Sequence, residues 1–134
     1  MRIIVIGSVN STKRIIQGLI RNQLIPIAIL GYDYRKMGKR KPSGYCDLSS
    51  IAEKNGIPFH YFDDINNEKH LMFAKSLNPD LIFAVGFSQL LSNQWFKISK
   101  KGCIGFHPTK LPKGRGRAPL AWLIIDGHDG AANF

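Results

Sequence analysis

Short uninterrupted apolar runs alternate along this chain with stretches whose apolar positions recur every three or four residues. Arg2–Gly7 (RIIVIG) is the first run, and a run of that length suits a strand buried on both faces. The turn Ser8–Ser11 follows and offers capping side chains. Ile15, Ile16, Leu19 and Ile20 then share one helical face, with Lys13, Arg14, Gln17 and Arg21 outside. Pro26–Leu30 predicts a second strand, and Tyr32–Tyr45, without any period, a loop. Asp47 is placed to cap a short helix over Leu48–Lys54 that stops at Asn55-Gly56. Pro58–Phe62 reads as a third strand. Asp63-Asp64 opens a helix with His70, Phe73, Ala74 and Leu77 on one face, and Asn78-Pro79-Asp80 breaks it. Leu81–Val85 predicts a fourth strand, Ser92–Ile98 a short helix, Cys103–Phe106 a fifth strand and Ala118–Ile125 a last helix with Trp122 and Leu123 in the core.

Strict alternation of strand and helix predicts an α/β fold: an open, mainly parallel twisted sheet with helices on both faces. Residues 1–134 read as a single domain, with Ile3–Ile6, Ile27–Leu30, Leu81–Val85 and Cys103–Phe106 as buried strands. In such sheets ligands bind beyond the carboxyl ends of the strands. That singles out the loops Gly7–Ser11, Gly86–Gln89 and His107–Arg117. The first, GSVNSTK, lacks the second glycine of a P-loop and reads first as ordinary turn chemistry, the alternative being backbone amides that face an anion at a helix N-terminus.

Composition narrows the picture. With 44% hydrophobic and 21% charged residues the chain is globular rather than disordered. No apolar run reaches the ~20 residues of a membrane span, and the first residues do not form a signal peptide. Cys46 and Cys103 form no CxxC pair, which fits free thiols in the cytoplasm. His60, His70, His107 and His128 lack partners at zinc-ligand spacing, so no metal is expected. Nineteen Lys+Arg against 9 Asp+Glu give a net charge of +10, which favours an anionic partner. One cluster, Arg35, Lys36, Lys39, Arg40 and Lys41, serves solubility or function equally well. Arg115 and Arg117 point to function.

Gly102–Trp122 (GCIGFHPTKLPKGRGRAPLAW) carries the strongest chemical signal. Pro108, Pro112 and Pro119 restrict a long loop and lower the entropy lost on ordering it. His107 stands just past a predicted strand, where an imidazole can serve acid–base or oxyanion chemistry. Arg115 and Arg117 alternate with Gly114 and Gly116, so backbone can approach a ligand while guanidinium groups bind carboxylate or phosphate.

The segment GCIGFHPTKLPKGRGRAPLAWLIIDG resembles the GCxNxHxSxLPxxRGxxPxxWAIxxG segment of the formyltransferases that use formyl-tetrahydrofolate. That family includes methionyl-tRNA, glycinamide ribonucleotide and amino-sugar N-formyltransferases. PDLIFAVGFSQLLS is similar to its PDLxVxxxYGQILP, with Gln89 at the matching place, whereas MRIIVIGS matches only weakly. The resemblance implies a Rossmann-like fold and formyl transfer from 10-formyltetrahydrofolate to the amine of a sugar, an amino acid or an aminoacyl-tRNA. It makes His107 the catalytic residue that serves the oxyanion. It places the donor near Gly86, Phe87, Ser88, Gln89 and Leu90, and near Pro108, Thr109, Lys110 and Leu111. Arg115, Gly116 and Arg117 would meet the acceptor, expected to be anionic; nucleic acid enters only if the acceptor is a tRNA. Two departures stand out. The family's asparagine is Gly105 here, which removes an oxyanion donor of a kind worth about 10²–10³ in rate. The family's aspartate has no counterpart before Phe134, because Asp126 and Asp129 come too early. The expectation is therefore an N-terminal part of a longer enzyme, or a shortened variant, without efficient catalysis as it stands. The alternatives are a non-catalytic folate- or nucleotide-binding domain of the same fold, and a basic nucleic-acid-binding protein. No RNA-binding signature supports the latter.

Overall fold

The computed structural model describes residues 1–34, 43–86 and 88–128. The cationic run at Arg35–Lys41, Phe87 and Asp129 therefore lie outside the described residues. Strand and helix alternate throughout: β1 (Ile3–Ile6), α1 (Asn10–Arg21), β2 (Ala28–Tyr32), α2 (Ser49–Lys54), β3 (Phe59–Phe62), α3 (Glu68–Ser76), β4 (Leu81–Ala84), α4 (Asn93–Ile98), β5 (Cys103–Gly105) and α5 (Pro119–Ile125). The sheet order is β3-β2-β1-β4-β5. The pairings of β1 with β2, β1 with β4 and β2 with β3 are all parallel. This is the predicted α/β architecture. By internal contacts the chain divides into two compact units, Met1–Ile104 and Gly105–Phe134.

The period-two geometry of β1 builds two cores in the first unit. Ile4 and Ile6 point to one face, with Leu30, Ile82, Phe62 and Trp95. Ile3 and Val5 point to the other, with Ile29, Ile16, Leu48 and Ile57. All four β1 side chains are fully buried, each worth about 1.5–3 kcal/mol relative to exposure. No helix among the described residues is long and apolar enough to cross a membrane.

Several element boundaries differ from the sequence expectation. The second strand begins at Ala28 rather than Pro26 and runs on to Tyr32, which is fully buried rather than part of a loop. Proline has no N–H to give a ladder, and Gly31 leaves room for the Phe59 ring, which a Cβ there would meet at 2.6 Å. The third helix starts at Glu68 and not at Asp63. Asp63 and Asp64 instead accept the amides of Asp64 and Asn66 at 3.0 Å each, holding this stretch in turns. Asn67 then caps α3 by accepting the Lys69 amide at 3.2 Å. The N-cap of α2 is Leu48 rather than Asp47, which lies one residue earlier and accepts the Ser49 amide at 2.9 Å. The fifth strand is short and not buried: Ile104 is 45% and Phe106 43% exposed. Trp122, expected in the core, is 57% exposed, and α5 has no buried residue.

Candidate active site

Two loops carry the chemistry read from the sequence, one in each compact unit. In the first unit, Gly86 follows β4 with a φ of +65°, and a Cβ there would collide with the Val9 side chain and come within 2.7 Å of the Thr12 hydroxyl. Glycine lets the end of β4 lie against the start of α1. Ser88 is tied to β2: its hydroxyl lies 2.9 Å from the Tyr32 hydroxyl, and its amide donates to the same oxygen at 3.3 Å. The Gln89 carboxamide bridges to the segment after β3. It accepts from the Ile65 amide at 2.8 Å and donates to the Asp63 carbonyl at 2.6 Å. Asn66 closes the return path by donating to the Leu90 carbonyl and accepting from the Ser92 amide, both at 2.8 Å. Leu90 is left almost wholly in solvent, at 90% exposure. The loop is thus held at four successive points, with its backbone preorganised and the Leu90 side chain free.

Asn66 was not singled out by the sequence. Its only signal was a run of Asx residues after a strand, and such runs are common turn chemistry.

In the second unit, the loop after β5 is wound around Thr109. That side chain is buried, and its hydroxyl donates to the Lys113 carbonyl at 3.0 Å. The Thr109 amide donates to the His107 carbonyl at 2.9 Å, and the Leu111 amide to the Thr109 carbonyl at 3.0 Å. Gly114, with φ +66°, packs on Thr109, where a Cβ would meet it at 2.9 Å. The Leu111–Pro112 peptide is cis. The outcome is a fixed Gly114 carbonyl 2.9 Å from His107 Nε2. A carbonyl only accepts, so Nε2 carries the proton. His107 Nδ1 is then the ring nitrogen left for a ligand: an acceptor in the neutral ring, a donor in the imidazolium. Lys110, Arg115, Gly116 and Arg117 are exposed, and Pro108 is half-buried. Arg115 and Arg117 line a depression of about 330 Å³ together with Trp122 and Asp126. Gly105 has nothing within 4 Å of where a Cβ would stand.

In the first loop four backbone amides are engaged. The amides of Gly7, Ser8 and Asn10 donate to the carbonyls of Leu30, Gly86 and Gly44, and the Val9 amide to the Thr12 hydroxyl. Among the described residues no group of three or more histidine, cysteine or carboxylate side chains could hold a metal ion.

One titratable cluster was not legible from spacing. His60 Nε2 and His70 Nδ1 lie 2.9 Å apart, and His70 is fully buried. Asp63 stands 3.8 Å from His70 Nε2. Burial pushes both imidazoles below their ordinary value, and the Lys69 ammonium pushes in the same direction.

A parallel α/β sheet with preorganised loops after its strands defines a ligand-binding fold of the doubly wound class. Comparison with known proteins goes further. The family model described as formyl transferase matches residues 1–131, and the chain belongs to that family. Among curated proteins it is 31% identical over 129 residues to the methionyl-tRNA formyltransferase of Clostridioides difficile, covering 96% of this chain and 42% of that protein. It is 26% identical to the methionyl-tRNA formyltransferase of Thermotoga maritima, covering 96% of this chain and 41% of that one. The chain thus spans about two-fifths of these curated relatives. Among solved structures, glycinamide ribonucleotide transformylase 1 from Symbiobacterium toebii superposes with a TM-score of 0.74 at 16% identity, over 99% of this chain and 63% of that one. A formyltetrahydrofolate deformylase from Pseudomonas putida gives 0.61 at 18%, over 94% of this chain and 45% of that one. At these identities the structural likeness speaks for the fold.

Proposed function

We propose that this chain is the N-terminal, donor-handling domain of a cytoplasmic enzyme that moves a formyl group from 10-formyltetrahydrofolate to a primary amine. The acceptor nitrogen attacks the formyl carbon and the carbonyl oxygen becomes an oxyanion. The bond from carbon to the folate nitrogen then breaks, that nitrogen takes a proton, and the new amide nitrogen loses one. The observation that carries the reading is His107, oriented through Nε2–H on the Gly114 carbonyl with Nδ1 left over. As imidazolium, Nδ1–H donates to the developing oxyanion; in the neutral ring the same nitrogen accepts a proton from the amine. The loop Gly86–Leu90, fixed by Tyr32, Gln89 and Asn66, is assigned to the folate, as are Pro108–Leu111. Thr109 and Gln89 act there by holding backbone in place, since their polar groups are already engaged. The depression at Arg115 and Arg117 suits an anionic acceptor.

The test is single-turnover formyl transfer to an identified amine. His107→Ala should slow the chemical step by about 10²-fold and leave donor affinity and melting temperature nearly unchanged. A structural histidine would give the reverse pattern, with normal turnover by the folded fraction. Gly105→Asn restores the family's residue in a place with nothing within 4 Å of the new Cβ. It should fold as the parent does and raise the rate. A second reading, a folate-binding domain without catalysis, is favoured by Gly105 alone and predicts saturable folate binding with no turnover in either variant.

A further inference from the structure

The face of the first unit between α1 and α2 holds an open groove of about 630 Å³, to which the formyl-transfer reading assigns no residue. Three cations line it, Lys13, Arg21 and Lys54, together with the neutral hydrogen-bonding side chains of Gln17, Ser50 and Asn55. No carboxylate does. Among the described residues none of the three cations forms an ion pair; the pairs present are made by Lys69, His70 and Lys100. Two of them have a local explanation, because Arg21 and Lys54 sit in the last turns of their helices and favour the dipole there. Lys13 does not. It is the fourth residue of α1, in a first turn without any acidic residue, where a cation opposes the dipole. Lys13 thus stands against the dipole with no ion-pair partner among the described residues, a position that a bound anion would favour.

We propose that this groove is a docking surface for the phosphate backbone of RNA. Lys13 and Arg21 are eight residues apart on one helix, about 12 Å at 1.5 Å per residue, a row too long for one phosphate and suited to successive ones. Gln17 lies between them along the helix and can reach phosphate or ribose oxygens. The apolar lining is Ile20 and Ile51, with no aromatic ring, so bases have nothing to stack on and binding follows the backbone rather than the sequence. If the formyl acceptor is RNA-borne, the groove would hold the body of that RNA. This link rests on the formyl-transfer reading, whereas the binding itself is measured without turnover.

The experiment is fluorescence anisotropy of a labelled RNA hairpin with the whole chain, across roughly 50–200 mM salt. Lys13→Glu/Arg21→Glu/Lys54→Glu should weaken binding about tenfold or more and flatten the salt slope by about 2–3, near 0.9 per lost phosphate contact. Lys75→Glu/Lys97→Glu/Lys101→Glu removes equal charge from exposed lysines outside the groove and should keep the affinity within about twofold. Should the groove variant lose its circular-dichroism signature, the triple glutamine variant replaces it, with a slope loss of the same sign expected. Equal weakening by both charge sets would overturn the proposal, leaving only net charge. So would absence of RNA binding at the lowest salt, or binding to anionic vesicles that RNA does not displace. Loss of formyl transfer with RNA binding intact would overturn the enzymatic reading and spare the groove.

Discussion

The two tryptophans set the two compact units against each other. Trp95 is fully buried against the β1 and β4 side chains, while Trp122 is 57% exposed and lines a depression beside Arg115 and Arg117. The same residue type supplies core in one unit and surface in the other. Residues Met1–Ile104 contain two clusters of buried apolar side chains, one on each face of the sheet. Among the described residues of the second unit only Thr109 is buried, and polar bonds hold its loop in shape. Apolar character states what a side chain gains if covered. Whether it is covered depends on what packs there, and Leu120, Ile124 and Ile125 are as apolar as β1 yet remain exposed.

The contrast is open to direct attack. The largest effect is expected for Trp95→Ala, a loss of about 3–5 kcal/mol in urea unfolding from the cavity it leaves. A loss as small as that of an ordinary surface change would remove the distinction. The histidine pair tests the first unit next. Both imidazoles are held below the ordinary value of 6.5, chiefly by burial, so the folded pair refuses protons that the unfolded chain takes up. Lys69 reinforces this and Asp63 opposes it. The stability tied to these groups is complete above about pH 6.5 and is lost as pH falls below it. The urea midpoint should therefore drop between about pH 7.5 and 5.5, and His60→Phe/His70→Leu should flatten that dependence. Parallel pH curves for parent and variant would show that the pair does not couple to folding. The smallest effect belongs to Trp122→Ala, within about 0.5 kcal/mol of the parent, while iodide should quench Trp122 and spare Trp95. A large loss here would mean that the second unit has a core of its own.

Much of the first unit was legible because buried parallel strands leave short apolar runs that little else produces. Errors fell where two local signals competed. Pro26 and Gly31 moved β2 two residues along, and the aspartates ahead of α3 bound nearby amides rather than opening the helix. The loop chemistry was legible through His107 and the glycine–arginine run. Its support was not: Gly114 supplies a carbonyl and Asn66 ties two backbone groups, tasks that depend on contacts between positions distant in sequence. The His60–His70 contact was hidden for the same reason, since a strand and a helix ten residues apart bring the rings together.

The Gln89 bridge has a spectroscopic consequence. One side chain from the proposed folate loop holds the amide proton of Ile65, a residue with a fully buried side chain, 24 positions earlier. That proton leaves for solvent only when the carboxamide lets go. Its exchange rate and chemical shift therefore make Ile65 a remote gauge of whether the loop is closed, readable without a label on the loop and without any turnover.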